Sequence, residues 1–234
     1  LTGAAGLFSV INSAFVTGNV TVSITSDLTE DGTIALGQWS DQGGIWNLTI
    51  QPDGTTERVI SGAVANGMIR LDGADRVTID GRFGGSGKYL RFRNTNTTNP
   101  TFTLLNDASN NTIRDCYIEG ATTTTTHGVV FFSTGTTTGN DNNSVTNCVI
   151  RDRSDAPGVP ANLIYSAGSS ATITNTGNTI SGNEMFNFTA RGIQTTSTGN
   201  ENWTISGNEI YQTASRTNPL YGIDFNSLGT NLIT

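Results

Sequence analysis

Two short patterns alternate along this chain with a spacing of about 30 residues, and this repetition limits the fold more than any other feature of the sequence. The first pattern has an apolar residue, any residue, an apolar residue or threonine, and then small polar residues. Its copies are IRLDG at 69–73, TLLND at 103–107, VVFFS at 129–133, LIYSA at 163–167, IQTTS at 193–197 and IDFNS at 223–227. Steps of 26 to 34 residues separate the positions that we take as equivalent, which are Leu71, Leu105, Phe131, Tyr165, Thr195 and Phe225.

The second pattern follows each of the first five copies and contains a predicted corner. Its copies are IDGRFG at 79–84, IRDCYI at 113–118, VTNCVI at 145–150, ISGNEM at 180–185 and ISGNEI at 205–210. The third residue is always Gly, Asp or Asn, the types that tolerate a left-handed backbone, so each copy predicts a strand, a one-residue corner and a second strand. We therefore expect positive φ at Gly182 and Gly207.

The residues after these corners form a predicted ladder from coil to coil: Arg82, Cys116, Cys148, Asn183 and Asn208. Stacked asparagines at a corner satisfy turn backbone that would otherwise be buried unpaired. We expect Asn183 and Asn208 to point inward and to bond each other's turns. Cys116 and Cys148 should be neighbours inside the fold, and we favour reduced thiols because directly stacked parallel positions rarely suit a disulfide.

Strands this short cannot bury their inward side chains alone, whereas stacked turns can. The chain has 39 Thr, 25 Asn and 28 Gly in 234 residues, and all three are poor helix formers. Crossover helices have no place in 122–126 or 134–143, which lack a 3.6-residue apolar period. The sequence therefore predicts an all-β protein, a right-handed parallel β-helix (β-solenoid) of about six to seven coils.

The repeated strings NNTIRDCYI, NNSVTNCVI, TGNTISGNEM and NENWTISGNEI resemble coils of the right-handed parallel β-helix, the pectate-lyase-like superfamily. Residues 69–81 resemble the opening coils of large secreted repeat proteins of Bacteroidota-type bacteria. The resemblance covers nearly the whole chain and is specific for architecture. It implies no single function, because the superfamily includes lyases, glycosidases, adhesins, phage spikes and inert spacers.

We expect one domain over 1–234, with an N-terminal cap at 1–18 and coils at 19–234. Leu7, Val10, Ile11 and Phe15 lie at helical spacing, which predicts a short amphipathic helix over the first coil; an irregular strand is the alternative. The final GTNLIT repeats the approach to the second pattern. We therefore expect the coil stack to be truncated or open at its C-terminal end.

Five charged residues are the catalytic candidates if the chain is an enzyme: Arg114, Glu119, Arg151, Asp152 and Asp155. The resemblance implies that a lyase would need a basic residue beside a calcium or carboxylate cluster, and a glycosidase needs two nearby carboxyl groups. Their spacing also fits an outward-facing ion pair between Glu119 and Arg151 in neighbouring coils, which involves no chemistry.

Other chemistry-bearing residues point to structural roles. The only histidine, His127, follows five threonines, and we expect it in a loop at a coil edge. Asp72, Asp75 and Asp80 match no calcium-binding repeat and are expected at corners. We predict neither a metal site nor a cofactor.

Charge and composition limit the partners. With 12 Lys and Arg against 19 Asp and Glu, the formal net charge is −7, so a nucleic-acid partner is disfavoured. No apolar run is long enough for membrane insertion. The single lysine, Lys88, and the excess of Thr and Asn favour an extracellular or cell-surface protein.

Three functions follow as hypotheses. The leading one is a non-catalytic structural module, an adhesin stalk or a self-assembling filament subunit, whose partner is another copy or further coils of the same polypeptide. The second is a carbohydrate-active enzyme, a polysaccharide lyase or glycosidase. The third is a carbohydrate-binding module that takes surface glycans on exposed Tyr117, Tyr211 and Trp203.

Overall fold

The computed structural model describes residues 1–196, 198–218 and 220–234, and the chain forms a parallel β-solenoid of about seven turns. Its strands are numbered β1 to β26 in chain order. Three long parallel sheets run along the stack. Sheet 1 contains β2 (Val20–Ile24), β6 (Leu48–Pro52), β9 (Val77–Asp80), β12 (Thr112–Arg114), β15 (Ser144–Thr146), β19 (Thr179–Ser181), β23 (Thr204–Ser206) and β26 (Leu232–Ile233).

Sheets 2 and 3 each have seven strands among the described residues. Sheet 2 contains β3 (Leu28–Thr29), β7 (Arg58–Gly62), β10 (Leu90–Asn94), β13 (Tyr117–Gly120), β16 (Val149–Asp152), β20 (Glu184–Phe186) and β24 (Glu209–Tyr211). Sheet 3 contains β4 (Leu36–Gly37), β8 (Ile69–Asp72), β11 (Phe102–Leu105), β14 (Val130–Phe132), β17 (Asn162–Ser166), β21 (Arg191–Thr195) and β25 (Tyr221–Phe225). Two short pairs complete the set: β1 (Phe15–Val16) with β5 (Ser40–Asp41), and β18 (Asn175–Thr176) with β22 (Asn200–Glu201).

Each turn passes through sheets 1, 2 and 3 in that order, and residues in register stack from turn to turn. Apolar side chains at the middle of the sheet 1 strands form one continuous inward column, which contains Ile50, Ile79, Ile113, Val145, Ile180 and Ile205. The step between stacked residues varies from 25 to 35. This variation falls in the loops, which are exposed and free to change length, so the strands keep their register.

The predicted corners are confirmed in four of the five copies. The backbone is left-handed at Asp115 (φ 54°), Asn147 (φ 53°), Gly182 (φ 64°) and Gly207 (φ 60°). The corner at Gly81 differs: a Cβ there would lie 1.9 Å from the carbonyl oxygen of Asp115, and its φ is not in the left-handed region. Glycine is required at this position by the close approach of the next coil.

In the first copy of the second pattern, at 79–84, a second strand was predicted directly after the corner, and this prediction was also wrong. Residues 81–89 form a loop, closed by a bridge between Phe83 and Ser86, before β10 begins at Leu90. Arg82 accordingly lies outside the ladder and contacts Asp80 at 2.9 Å.

The equivalence that we proposed within the first pattern was wrong for three residues. Leu71 is in register with Leu104, and the inward column continues through Phe132, Ser166, Thr195 and Phe225. Leu105, Phe131 and Tyr165 therefore face outward. Apolar residues occupy consecutive positions in these strands, so alternation could not choose the face, and a one-residue slip reverses it. Ser197, which ends one copy, lies outside the described residues.

The N-terminal helix is confirmed, but its buried face was wrong. The helix spans Leu7–Ser13 and buries Phe8 and Ile11. Val10 is 58% exposed and Phe15 is 73% exposed and lies in β1. The predicted face assumed a helix that continues from Leu7 to Phe15, about two and a half turns, whereas the helix ends at Ser13.

Candidate functional site

The five candidate catalytic residues are divided between two sheets. Arg114 lies in β12 of sheet 1, where it contacts Asp80 at 2.7 Å. Burial raises the pKa of Asp80, but hydrogen bonds from Arg82 and Arg114 outweigh burial and hold this pKa below its ordinary value. The other four candidates, Glu119, Arg151, Asp152 and Asp155, lie in or just after sheet 2.

Glu119 is fully buried on the outer side of sheet 2, where arginine side chains cover it. It is in register with Arg151 as predicted, but its ion-pair partners are Arg93, at 2.6 Å, and Arg91, both in the preceding coil. Burial raises the pKa of Glu119, but hydrogen bonds from Arg93 and Ser154 and the positive charges of Arg91 and Arg93 outweigh burial and hold this pKa below its ordinary value. The predicted pair between Glu119 and Arg151 was therefore wrong in its partner.

Arg151 instead reaches the following residue and the next coil. It contacts Asp152 at 3.2 Å, and its guanidinium lies 4.7 Å from the centre of the Phe186 ring. The ring attracts the cation through its negatively charged face. Arg151 therefore pairs with Asp152 and packs on Phe186 rather than pairing with Glu119.

Asp155 is held by Arg153 at 3.0 Å and by Arg93 at 3.2 Å. The hydrogen bond from Arg153 is the main cause of its lowered pKa. A general acid at neutral pH needs a raised pKa, and in this cluster Glu119 and Asp155 have lowered ones. The arrangement stabilises carboxylates rather than preparing one to donate a proton.

At the corner, hydrogen bonds run from coil to coil between Cys148, Asn183 and Asn208, and Arg82 takes no part in them. The backbone N–H of Cys148 donates to Asn183 Oδ1 at 2.9 Å, and the Asn183 side-chain amide donates to Asn208 Oδ1 at 2.9 Å and to the carbonyl of Val145 at 2.9 Å. Cys116 and Cys148 are both free and buried. Burial and a hydrogen bond with Cys148 raise the pKa of the Cys116 thiol.

A second ladder was missed by the sequence analysis. It runs along the other end of the sheet 1 strands, where Asn111 N–H donates to Asn143 Oδ1 at 3.0 Å and Asn143 N–H donates to Asn178 Oδ1 at 2.9 Å. A left-handed residue precedes each of these asparagines: Asn110, Asn142 and Gly177. The doublets NN, NN and GN before each Thr or Ser were the signal, because they repeat the corner pattern at the opposite end of the strand.

The aromatic residues predicted for glycan binding do not share a face. Trp203 is 1% exposed and packs in the core against Phe132 and Phe225, with ring centres 5.0 and 6.0 Å away. Its Nε1 donates to the carbonyl of Asn175 at 2.7 Å. Tyr117 and Tyr211 lie on the outer side of sheet 2. Trp203 is therefore on the opposite side of the chain's wall from the two tyrosines and is not exposed with them.

The three aspartates expected at corners each bind a different partner and do not form a cluster. Asp72 accepts a hydrogen bond from the Asn106 side chain at 2.6 Å, Asp75 accepts one from Ser109 N–H at 2.8 Å, and Asp80 binds arginine. Among the residues that the structure describes, no group of three or more His, Cys, Asp or Glu side chains is placed to hold a metal ion. No helix in the described parts of the chain is long and apolar enough to cross a membrane.

A groove on the outer face of sheet 3 was also missed. His127 lies in a loop as expected, and its ring centre is 4.9 Å from that of Phe131, which is 5.8 Å from that of Tyr165. A cavity of about 230 Å³ borders His127 and Phe131. The doubled apolar residues of the sheet 3 strands were the available signal, because one of each pair must face outward.

Comparison with known proteins finds no protein-family model, no curated protein and no solved structure that matches this chain.

Proposed function

We propose that this chain is a non-catalytic structural module of an extracellular or cell-surface protein, working as an adhesin stalk or as a self-assembling filament subunit. Within this proposal, the coils are related to the pectate-lyase-like superfamily and to repeat regions of Bacteroidota-type surface proteins. The repeated corner strings support that relationship. The pairing of charges on sheet 2 supports a structural role for the residues that were candidates for catalysis.

The observation that carries the proposal is the uncovered end of the last described coil. At the N-terminal end, Phe8 and Ile11 of the helix are buried against the core. The last described coil instead leaves five apolar side chains 36% to 55% exposed: Tyr221, Ile223, Leu228, Leu232 and Ile233. Its strands β24, β25 and β26 each pair on one side only in the described residues, as β2, β3 and β4 do at the other end.

An apolar coil end with unpaired parallel strand edges suits one kind of partner, a further parallel coil. Such a coil would supply backbone hydrogen bonds to β24, β25 and β26 and would cover the exposed side chains. It belongs either to the same polypeptide or to the next subunit. A head-to-tail contact between subunits does not close on itself and would produce a fibre. Because the helix covers the first coil, this contact would need an exchanged segment or contacts at the side of the coils.

Two proteins distinguish these sources: residues 1–234, and the same chain with residues 207–234 repeated after Thr234, which continues the register because Leu232 and Ile233 pair with Thr204 and Ile205. Light scattering and electron microscopy measure association, and thermal unfolding measures stability. Association of residues 1–234 into linear arrays supports the filament. A monomer that the added coil stabilises supports continuation within one polypeptide.

The matched variants are Leu232→Glu at the open end and Phe83→Glu in the loop at 81–89, where Phe83 is also exposed. We expect only Leu232→Glu to weaken association or to cancel the gain from the added coil. A monomer that gains nothing from the added coil would contradict the proposal. Cleavage of a polysaccharide by the purified chain would also contradict it.

A further inference from the structure

The segment between β7 and β8 contains a chemically distinct asparagine, Asn66. It is followed by Gly67, and no other asparagine of the chain has glycine directly after it. The backbone has positive φ at both residues, 76° at Asn66 and 94° at Gly67. Because glycine has no side chain, nothing attached to residue 67 shields its backbone nitrogen from the Asn66 side chain.

The next coil favours glycine at position 67. A Cβ at this position would lie 2.5 Å from Thr103 Oγ1, and the positive φ disfavours other residues. Thr103 lies in β11, which pairs with β8 one coil further along the stack. The arrangement of the coils therefore explains why a glycine follows Asn66.

Hydrogen bonds within the described residues do not restrain this pair. Asn66 is exposed, and its side-chain amide has no hydrogen-bond partner there. The backbone N–H of Gly67 likewise has no backbone acceptor in the part of the chain that the structure describes. Asn183 shows the contrast, because its amide is buried and donates to Val145 and to Asn208. The fold thus holds the ladder amides in place but forms no hydrogen bond against rotation of the Asn66 side chain.

The two neighbouring groups react with each other in an intramolecular substitution. Base removes the proton from the Gly67 nitrogen, which attacks Cγ of Asn66 and closes a five-membered succinimide ring. The Cγ–Nδ2 bond breaks, and Nδ2 leaves as ammonia after it takes up a proton. Water then adds to either carbonyl of the ring and opens it to aspartate or to isoaspartate. One amide and one water become one carboxyl group and one ammonia, so no oxidant or reductant is needed.

We propose that Asn66 is a self-modification site, which the folded protein converts to aspartate and isoaspartate without an enzyme. Asn66 borders the groove on the outer face of sheet 3, and the residues around that cavity include no carboxylate, lysine or arginine. The reaction therefore places a negative charge where the groove had none. Isoaspartate also adds one methylene to the main chain, but the change falls in a connecting segment, which absorbs it without shifting the strands. This inference does not rest on the proposed structural module.

The test incubates the folded chain of residues 1–234 at neutral and at mildly alkaline pH and follows its intact mass with time. Each converted chain gains the mass difference between a hydroxyl and an amino group, and peptide mapping locates the change. We expect the peptide that contains Asn66 and Gly67 to change first and to separate into an aspartate and an isoaspartate form. Conversion should be faster at the higher pH, because the deprotonated nitrogen is the nucleophile.

Three comparisons make the test specific. Asn66→Gln keeps an amide but would have to close a larger ring, so its mass should stay constant over the same time. Asn226 is an exposed asparagine followed by serine, and it should convert at least about tenfold more slowly than Asn66, because the serine side chain shields the attacking nitrogen. A synthetic peptide of residues 64–69 gives the rate without the fold, and the folded chain should convert within about tenfold of it. Circular dichroism checks that the chain stays folded during incubation.

The proposal is overturned if the folded chain keeps its mass while the peptide converts, because the fold would then protect Asn66. It is also overturned if Asn66→Gln gains mass as fast as the wild type, or if aspartate forms without isoaspartate, which would mean that water attacks the amide directly. If Asn66→Gln does not fold, peptide mapping of the wild type decides. None of these outcomes bears on association at the C-terminal end, so failure of this site and failure of the structural module are distinguishable.

Discussion

Asn183 donates its side-chain amide to Asn208 Oδ1 at 2.9 Å, and the two residues belong to successive coils at the same corner. The backbone N–H of Asn183 donates to that same oxygen at 3.0 Å, and Asn208 donates in turn to the carbonyl of Ile180 at 2.8 Å. Each asparagine therefore satisfies the turn of its neighbour. The ladder replaces the solvent that these buried backbone groups have lost.

We expect Asn183→Leu to lower the free energy of unfolding by about 1–3 kcal/mol for each buried group left unpaired. The groups at risk are the N–H of Cys148 and the carbonyl of Val145, both bonded to Asn183. Urea unfolding measures the loss. Asn226→Leu, at an exposed asparagine, is the control. Equal stability of the Asn183 variant and the wild type would contradict the ladder.

Two glycine substitutions should separate two reasons for glycine at a corner. Gly207 has φ 60° and its nearest neighbour atom would lie 4.0 Å from an added Cβ, so Gly207→Ala should cost only the left-handed backbone, about 1–2 kcal/mol. Gly81→Ala should cost more, because the added Cβ meets the Asp115 carbonyl oxygen at 1.9 Å and the coils must separate. Thermal unfolding of the two variants gives the order. The reverse order would show that close approach does not limit position 81.

The cysteines should be reduced and protected. Alkylation of the denatured protein without reductant should add two labels, and alkylation of the native protein should be slow because both thiols are buried. Burial also raises the pKa of Cys116 and lowers its thiolate fraction. Intact mass measures the labels. A denatured chain that takes a label only after reduction would instead demonstrate a disulfide.

Asp107 should make the fold sensitive to acid. Burial raises its pKa, but its carboxylate accepts the hydroxyl of Thr136 and backbone N–H groups from Thr136, Thr137 and Gly139, and these hydrogen bonds bring the pKa far below its ordinary value. A lowered folded-state pKa gives stability that is present above the unfolded pKa of about 3.9. This stability is lost as the pH falls from there toward the folded pKa. Asp107→Asn should therefore be less stable at pH 7 and lose less stability on acidification.

Asp141 is the matched control for Asp107, because its pKa is shifted in the opposite direction. Burial is the main cause of its raised pKa, and the negative charges of Asp107 and Glu201 add to it. A raised folded-state pKa means that the protonated form is favoured, so the ionised carboxylate destabilises the fold at neutral pH and this effect disappears on acidification. Asp141→Asn should be neutral or stabilising at pH 7. A loss as large as that of Asp107→Asn would show that hydrogen bonding to Thr176 dominates at this site.

The repeat pattern was sufficient for the architecture and for one ladder. Short apolar segments, each followed by Gly, Asp or Asn, recur often enough that stacked parallel turns are the arrangement able to bury them all. Corner positions such as Asn147 and Gly182 could be predicted because φ is a local property of the residue type. The asparagine ladder followed, since residues at equal positions in stacked turns must be neighbours.

The groove and the ion pairs could not be predicted in the same way. Leu104 and Leu105 are both apolar, and only the register with β8 and β14 decides which one enters the core and which one lines the groove. Glu119 likewise has arginines in the coils before and after it, and the choice of Arg93 over Arg151 depends on how each side chain packs across the sheet.

The sequence by itself determined the stacked β-solenoid, its corners and the column that contains Cys148 and Asn183, because these depend on local backbone preference and on a regular period. The tertiary structure alone decided that Trp203 packs in the core against Phe132 and Phe225, and that Phe131 faces outward. Both outcomes depend on the volume and register of neighbouring coils, which come from residues 25 to 35 positions away. Coil-to-coil packing selects among faces that the local pattern leaves equal.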